Sequence, residues 1–210
     1  MIITVVGTGN MGSSFVKSFT LAGHQVRVTG RDLNKAQALA AQFKGAQAVP
    51  AAVAAQGAQV IVLATAYGDA VSALSSLGDI SGKVVIDITN PLSADYMSLT
   101  LGHSTSAAEE IANAFPAAHI VKAFNTTFAQ VVAEGQVFAA GQVAPVLYAG
   151  DDVEAKAVVQ TLIASTGFKP VDAGTLRNAR YLEPLAGLNI YFGYGAGLGN
   201  DIVPTWLSRA

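Results

Sequence analysis

Apolar residues along the chain follow two rhythms. Short runs rich in β-branched residues, at Ile2–Val6, Gln25–Thr29, Gln59–Leu63, Lys83–Asp87, His119–Ala123, Pro145–Tyr148 and Phe168–Asp172, read as strands. Between them lie alanine-rich stretches whose apolar residues recur at helical spacing. The first places Met11, Phe15, Phe19 and Ala22 on one face, with Ser13, Ser14, Lys17 and Ser18 elsewhere, and Gly23 stops it. The second starts at Asp32, whose carboxylate suits the free N–H groups of a helix start, and runs through Ala36, Leu39, Ala40 and Phe43. A later one follows Asp151-Asp152, carries Val158, Val159, Leu162 and Ile163, and ends at Gly167. The alternation predicts an α/β fold, a doubly wound and mostly parallel sheet with helices on both faces.

Two segments depart from the rhythm. Pro91 to Ser106 has no clean period and follows a strand end, the place where ligands of such sheets bind. Glu183 to Gly199 passes through Pro184 and ends in glycines interleaved with Tyr191, Phe192 and Tyr194, a composition that suits a flap or a subunit contact. The chain shows no internal repeat or low-complexity linker. Residues 1–210 therefore read as one domain, with 174–210 as a short helical, glycine-aromatic extension or cap.

Composition narrows the function classes. Hydrophobic residues make up 51% of the 210 and charged residues 12%, and the mean hydropathy is +0.43. Much of that hydrophobicity is alanine, and Pro50, Gly57, Gln47, Gln56 and Gln59 interrupt the charge-free stretch from Gly45 to Gly68, so no spanning run is expected. Met1 leads straight into a strand without a basic leader, which points to the cytoplasm. Zero cysteines exclude thiolate catalysis and cysteine-held metals, and three scattered histidines give no metal-ligand spacing. A net charge of -2 argues against nucleic acid as a partner. The low charge content suggests a homo-oligomer, a homodimer in the simplest case, that covers some apolar surface.

The candidate chemistry starts at Gly7-Thr8-Gly9-Asn10-Met11-Gly12, between the first strand and the first helix. In such a turn Gly7 allows the sharp reversal, Gly9 admits a pyrophosphate against the backbone, and Gly12 lets helix and strand pack closely. Free N–H groups at the helix start then meet the phosphates, which makes the chain a candidate dinucleotide binder of Rossmann type. Enzymes that use NAD usually end the second strand in an acidic residue that binds the ribose hydroxyls. Here that position is Thr29, followed by Gly30 and Arg31, with Lys35 one helical turn on. A guanidinium fork, a hydroxyl and an ammonium suit a 2′-phosphate, so the expected cofactor is NADP(H). Lys35 also reads as an ordinary solvated helix residue.

Three later stretches, Asp87-Ile88-Thr89-Asn90-Pro91-Leu92, Val121-Lys122-Ala123-Phe124-Asn125-Thr126 and the run from Asp172 to Ala186 that contains Asn178-Ala179-Arg180-Tyr181-Leu182-Glu183-Pro184, resemble the coenzyme F420-dependent NADP oxidoreductases. The likeness extends over nearly the whole chain and takes in the oxidoreductase domain of the STEAP metalloreductases. It implies a Rossmann fold holding NADPH across the strand ends, with a flat redox ring of F420, FMN or FAD as a small-molecule acceptor beside the nicotinamide. The family's Ser-Arg pair after the second strand is Gly30-Arg31 here, so that hydroxyl contact is either lost or taken over by Thr29.

Hydride transfer between stacked rings needs positioning and little acid–base chemistry. No tyrosine has a lysine four residues later, so the pair that protonates an alkoxide in short-chain dehydrogenases is missing. Lys122 is the one lysine held as a possible acid, against a reading as a solvated residue. Ala64, Thr65 and Ala66 follow the third predicted strand and pass beneath the nicotinamide half. Asn90 and Pro91 follow the fourth, and Phe124, Asn125 and Thr126 the fifth. Asn90, Pro91 and Asn125 are taken as the residues nearest the chemistry, the asparagines reading alternatively as turn caps. His103 faces either a substrate anion or water. A rival reading is a catalytically silent NADP(H)-binding redox sensor.

Overall fold

The computed structural model describes residues 1–207 and 209, so the extension expected over 174–210 includes two residues, 208 and 210, outside the described ones. Eight strands form one sheet: β1 (Ile2–Val6), β2 (Gln25–Thr29), β3 (Ala46–Ala48), β4 (Val60–Leu63), β5 (Val84–Asp87), β6 (His119–Ala123), β7 (Pro145–Gly150) and β8 (Lys169–Asp172). Their order is β3-β2-β1-β4-β5-β6-β7-β8. Neighbours pair in parallel, with one exception, β6 against β7, where Ala123 faces Tyr148 and Val121 faces Gly150. The direction of winding reverses between β1 and β4, which opens a crevice at their carboxyl ends.

The helices are α1 (Asn10–Leu21), α2 (Leu33–Ala40), α3 (Ala70–Ser75), α4 (Ala107–Ala114), α5 (Ala129–Glu134), α6 (Val153–Ser165) and α7 (Ala179–Ile190). On one side of the sheet α1, α2, α5 and α6 bury Phe15, Phe19, Leu39, Val131, Val159 and Leu162 against the strands. On the other, α3 and α4 bury Leu74 and Ile111. Covered on both faces, β4 and β5 are buried at every position, which is why β4 reads as an unbroken apolar run and β5 as one up to its last residue, Asp87. Phe15 stacks on Phe19 at 5.3 Å and meets Phe124 edge-on at 5.1 Å. Burial of each such ring contributes about 1.5–3 kcal/mol.

Helix ends follow the expected chemistry. The Asp32 side chain accepts from the N–H groups of Asn34 and Lys35, and that of Asp152 from Ala155. α4 starts at Ser106, whose hydroxyl accepts from the Glu109 N–H and donates to its carboxylate at 2.7 Å. Arg180 on α7 grips the same carboxylate through Nε and one terminal nitrogen, at 2.8 and 2.7 Å, and so ties α7 to α4. α7 runs through Pro184, then widens into a single π turn over Tyr191–Gly195. Phe128 packs against that turn so closely that a Cβ on Gly193 would lie 2.7 Å from its ring.

Candidate functional site

The glycine turn has the geometry its spacing predicts. Gly7 sits at φ +128°, and a Cβ there would fall 2.2 Å from the Ala64 carbonyl oxygen, while one on Gly12 would fall 2.1 Å from the Gly7 carbonyl oxygen. Both glycines are therefore required by the protein's own backbone. Gly9 differs: its φ is an ordinary -78°, and a Cβ would meet no protein atom within 4 Å. The space above Gly9 is open, and α1 starts directly beside it, where the first N–H groups of a helix have no intrahelical partners.

At the end of β2 the Arg31 side chain is 90% exposed, 3.7 Å from the Asp69 carboxylate. An exposed pair of this kind holds its members weakly, so the guanidinium can turn to another anion. Gly30 lies between Arg31 and the turn, with Thr8 as the nearest contact for a Cβ, and Lys35 is exposed on the first turn of α2. Thr29 departs from expectation. It is buried, and its hydroxyl has no hydrogen-bond partner, so it offers nothing to a phosphate at the surface. β2 ends with this side chain turned into the protein.

A cleft of about 580 Å³ opens where α1 begins and β5 and β6 end. Asn10 and Met11 form its wall on the glycine-turn side. Asn90, Phe124, Asn125, Thr126 and Thr127 line it from the strand ends, Leu92, Asp95, Tyr96 and Met97 from the irregular segment, and Ala186, Asn189, Ile190 and Tyr194 from α7 and the π turn. The irregular segment and the glycine-aromatic run thus meet over the strand ends. Pro91 and His103 are not among the lining residues. Pro91 is buried, with its carbonyl accepting from the Thr100 N–H and hydroxyl, and His103 is exposed. Ala64, Thr65 and Ala66 follow β4 outside the cleft wall, with the Ala64 carbonyl against Gly7. Tyr67 follows them, and burial pushes its phenol up, with the Glu110, Glu183 and Asp87 carboxylates acting in the same direction.

The two asparagines are neither free ligands nor simple turn caps. The Asn90 amide donates to the Asn125 carbonyl at 3.0 Å, and the Asn125 amide donates to the Asn90 side-chain oxygen at 3.0 Å and to the Leu182 carbonyl at 2.9 Å. The pair joins the ends of β5 and β6 to α7 and leaves the Asn125 side-chain oxygen buried without a partner. Phe124 directs the chain here. Its ring lies in the core, against Phe15 and Phe168, and its φ of +60° turns Asn125 to Thr127 into the cleft wall. A phenylalanine in the left-handed region costs on the order of 1–3 kcal/mol, which the packing of its ring offsets.

Beneath this wall is a buried charge cluster that corrects the reading of Lys122. Its side chain is 0% exposed, and its ammonium lies 2.6 Å from Asp87, 2.8 Å from Glu183 and 2.6 Å from the Thr89 carbonyl. Two hydrogen bonds and a second carboxylate surround the ammonium, so the side chain is not solvated. Glu183 also accepts from the N–H groups of Ala107 and Ala108 at the start of α4, and Asp87 from the N–H of Thr89. Sequence reasoning missed Asp87 and Glu183 as a unit. The available signal was a glutamate on the face of α7 that carries Ala179, Leu182 and Ala186.

Residues 2–91 match the family described as NADP oxidoreductase, coenzyme F420-dependent. The crystal structure of a candidate F420-dependent NADP-reductase from Arthrobacter sp. FB24 superposes with a TM-score of 0.84 at 30% identity, covering 94% of this chain and 96% of that one. The chain belongs to the coenzyme F420-dependent NADP oxidoreductase family. It is also 30% identical over 184 residues to the metalloreductase STEAP3 of Rattus norvegicus, matching 87% of its own length but spanning only 36% of that protein. A reductive aminase from Aspergillus terreus shares the fold at 21% identity and a TM-score of 0.67, with 93% of this chain and 62% of that chain covered. Within the oxidoreductase family, then, this member joins the glycine turn and a cleft floored by an asparagine pair on one edge of the sheet.

Proposed function

We propose that the protein is an NADPH-dependent oxidoreductase that passes a hydride between NADP(H) and a flat redox ring, coenzyme F420 or a flavin. The observation that carries this reading is the double position of Asn10 and Met11, which open the helix at the glycine turn and also line the cleft. A dinucleotide whose pyrophosphate occupies the open space over Gly9 continues past these residues into the cleft. In this reading Gly7 to Gly12 hold the pyrophosphate, Arg31 binds the 2′-phosphate with Gly30 and Lys35 around it, and Ala64 to Ala66 flank the nicotinamide half. The open space above Gly9 and the exposed guanidinium fit such a group. The Aspergillus aminase of the same fold was solved with NADPH, which supports the same choice.

When bound, NADPH supplies the hydride. The chain's own part is to orient two rings and keep water from them, with Asn90 and Asn125 fixing the floor and Tyr96, Met97 and Tyr194 the roof. The exposed aromatic run of Tyr191, Phe192 and Tyr194 supports self-association. Mixing the protein with NADPH and oxidised F420, FMN or FAD while following absorbance at 340 nm tests the reading. Acceptor-dependent loss of NADPH is expected, and no oxidation with any flat acceptor leaves a silent NADP(H) sensor in its place.

A further inference from the structure

The charges around the cleft are distributed in a way that the family's name does not anticipate. Among the described residues that line it, Asp95 is the one that carries a charge, and none is lysine, arginine or histidine. Sites that anchor phosphate or carboxylate groups place guanidinium or ammonium groups there. Hydrogen bonds to Asp95 from the Ser93 hydroxyl at 2.5 Å and the Met97 N–H at 3.1 Å fix the carboxylate at the rim. They also hold it below the usual carboxylate range, so it is ionised at neutral pH. The walls, by contrast, suit a flat apolar body: Phe128 and Tyr194 meet edge to face at 5.8 Å, and Met97 is also on the lining. The other polar side chains on the lining, among them Asn90, Thr126 and Asn189, are neutral. Neutral amides and hydroxyls can donate to and accept from a ring edge that carries N–H and C=O groups.

Resting on the proposed hydride transfer, we propose that this cleft takes a planar two-electron acceptor without an ionised group, a tail-less isoalloxazine or a quinone, and that Asp95 disfavours acceptors with anionic tails. In the step itself the C4–H bond of NADPH breaks with its electron pair and a new bond to hydrogen forms on the acceptor ring. NADP⁺ is left, and a proton from water completes the reduced acceptor.

The test compares riboflavin with FMN, which differ by a phosphate. Each is titrated with the intact protein in the presence of NADP⁺ at low ionic strength, with flavin fluorescence quenching as the readout, and kcat/KM is measured for riboflavin, FMN and menadione. Riboflavin is expected to bind about three- to fivefold more tightly than FMN, a gap that shrinks at 0.15 M salt and in Asp95→Asn, because an exposed charge acts over a screened distance. A preference for FMN or F420, or a riboflavin preference unchanged by Asp95→Asn and by salt, overturns the proposal. So does the absence of binding by riboflavin, FMN and menadione alike in a protein that still binds NADPH. Failure to bind NADPH itself, read from its own fluorescence, instead rejects the function on which the proposal rests.

Discussion

Asn125 donates both protons of its amide, one to the Asn90 side chain at 3.0 Å and one to the Leu182 carbonyl at 2.9 Å. One side chain thereby fixes two strand ends to the helix that roofs the cleft. Asn125→Ala is expected to lower the rate of hydride transfer tenfold or more while NADPH affinity stays within about twofold, since the floor of the acceptor site acts on the reaction step. The loss of two hydrogen bonds also costs about 1–3 kcal/mol of stability. Single-turnover kinetics beside an NADPH titration and a urea melt separate these effects, and native turnover with native affinity removes Asn125 from the site.

Arg31 sets the choice between NADPH and NADH. A charge-assisted contact to the 2′-phosphate contributes about 1.5–3 kcal/mol, so Arg31→Ala should weaken NADPH on the order of ten- to a hundredfold and leave NADH nearly unchanged. Fluorescence titration with both cofactors decides it. Equal losses for the two would place the phosphate elsewhere.

Gly9 separates a ligand-driven glycine from a fold-driven one. No protein atom lies within 4 Å of its absent Cβ, so Gly9→Val should fold with a near-native melting temperature yet lose both cofactors. Gly7→Val, whose Cβ would enter the Ala64 carbonyl, should instead fail to fold. A Gly9→Val protein that binds NADPH normally would falsify the placement of the pyrophosphate.

Lys122 neutralises two carboxylates that touch no water, since Asp87 is 0% and Glu183 1% exposed. Lys122→Met leaves them buried with no cation, and removal of one member of such a buried cluster costs about 3–5 kcal/mol. Urea denaturation measures this. A variant of native stability would mean that water reaches the cluster.

Glu109 gives the chain an acid-sensitive clasp. Hydrogen bonds from Arg180, and secondly from Ser106, hold its carboxyl below the ordinary 4.5. A depressed folded pKa means that the stabilisation is present above about 4.5 and lost as pH falls through the lower folded value. Glu109→Gln should therefore lower the melting temperature at pH 7, by about 1–3 °C, and match the native protein in acid below that range. A gap that stays constant with pH would show that the carboxylate's charge is immaterial.

Much of this architecture was legible in the sequence. β1, β2 and β6 start and stop where the β-branched runs do, and the Asp32 and Asp152 caps lie where a carboxylate precedes an apolar periodic stretch. β3 was not, because Ala46-Gln47-Ala48 is a three-residue edge strand without a β-branched residue. The reversed direction of β7 was equally hidden, since alternation of side chains reveals a strand but not which way it points. The cleft was legible in its floor, through the residues after β5 and β6, and in the two irregular segments that roof it. The fates of Thr29 and Lys122 were not. Whether a hydroxyl turns inward, or a lysine meets carboxylates brought from two other elements, is decided only by three-dimensional packing.

The reversal at β7 also has an electrical consequence. It returns the chain to the sheet from the cleft end, so β8 finishes at the far edge and α7 must run back toward the cleft. α1 thus points its amino end at the site and α7 its carboxyl end, with Asn10 and Ile190 both on the lining of one cavity. Aligned peptide dipoles leave about half a positive charge at the first and half a negative charge at the second. Two helix ends of opposite sign thus meet at one cleft, and this pairing follows from strand order and strand direction, before any side chain is counted.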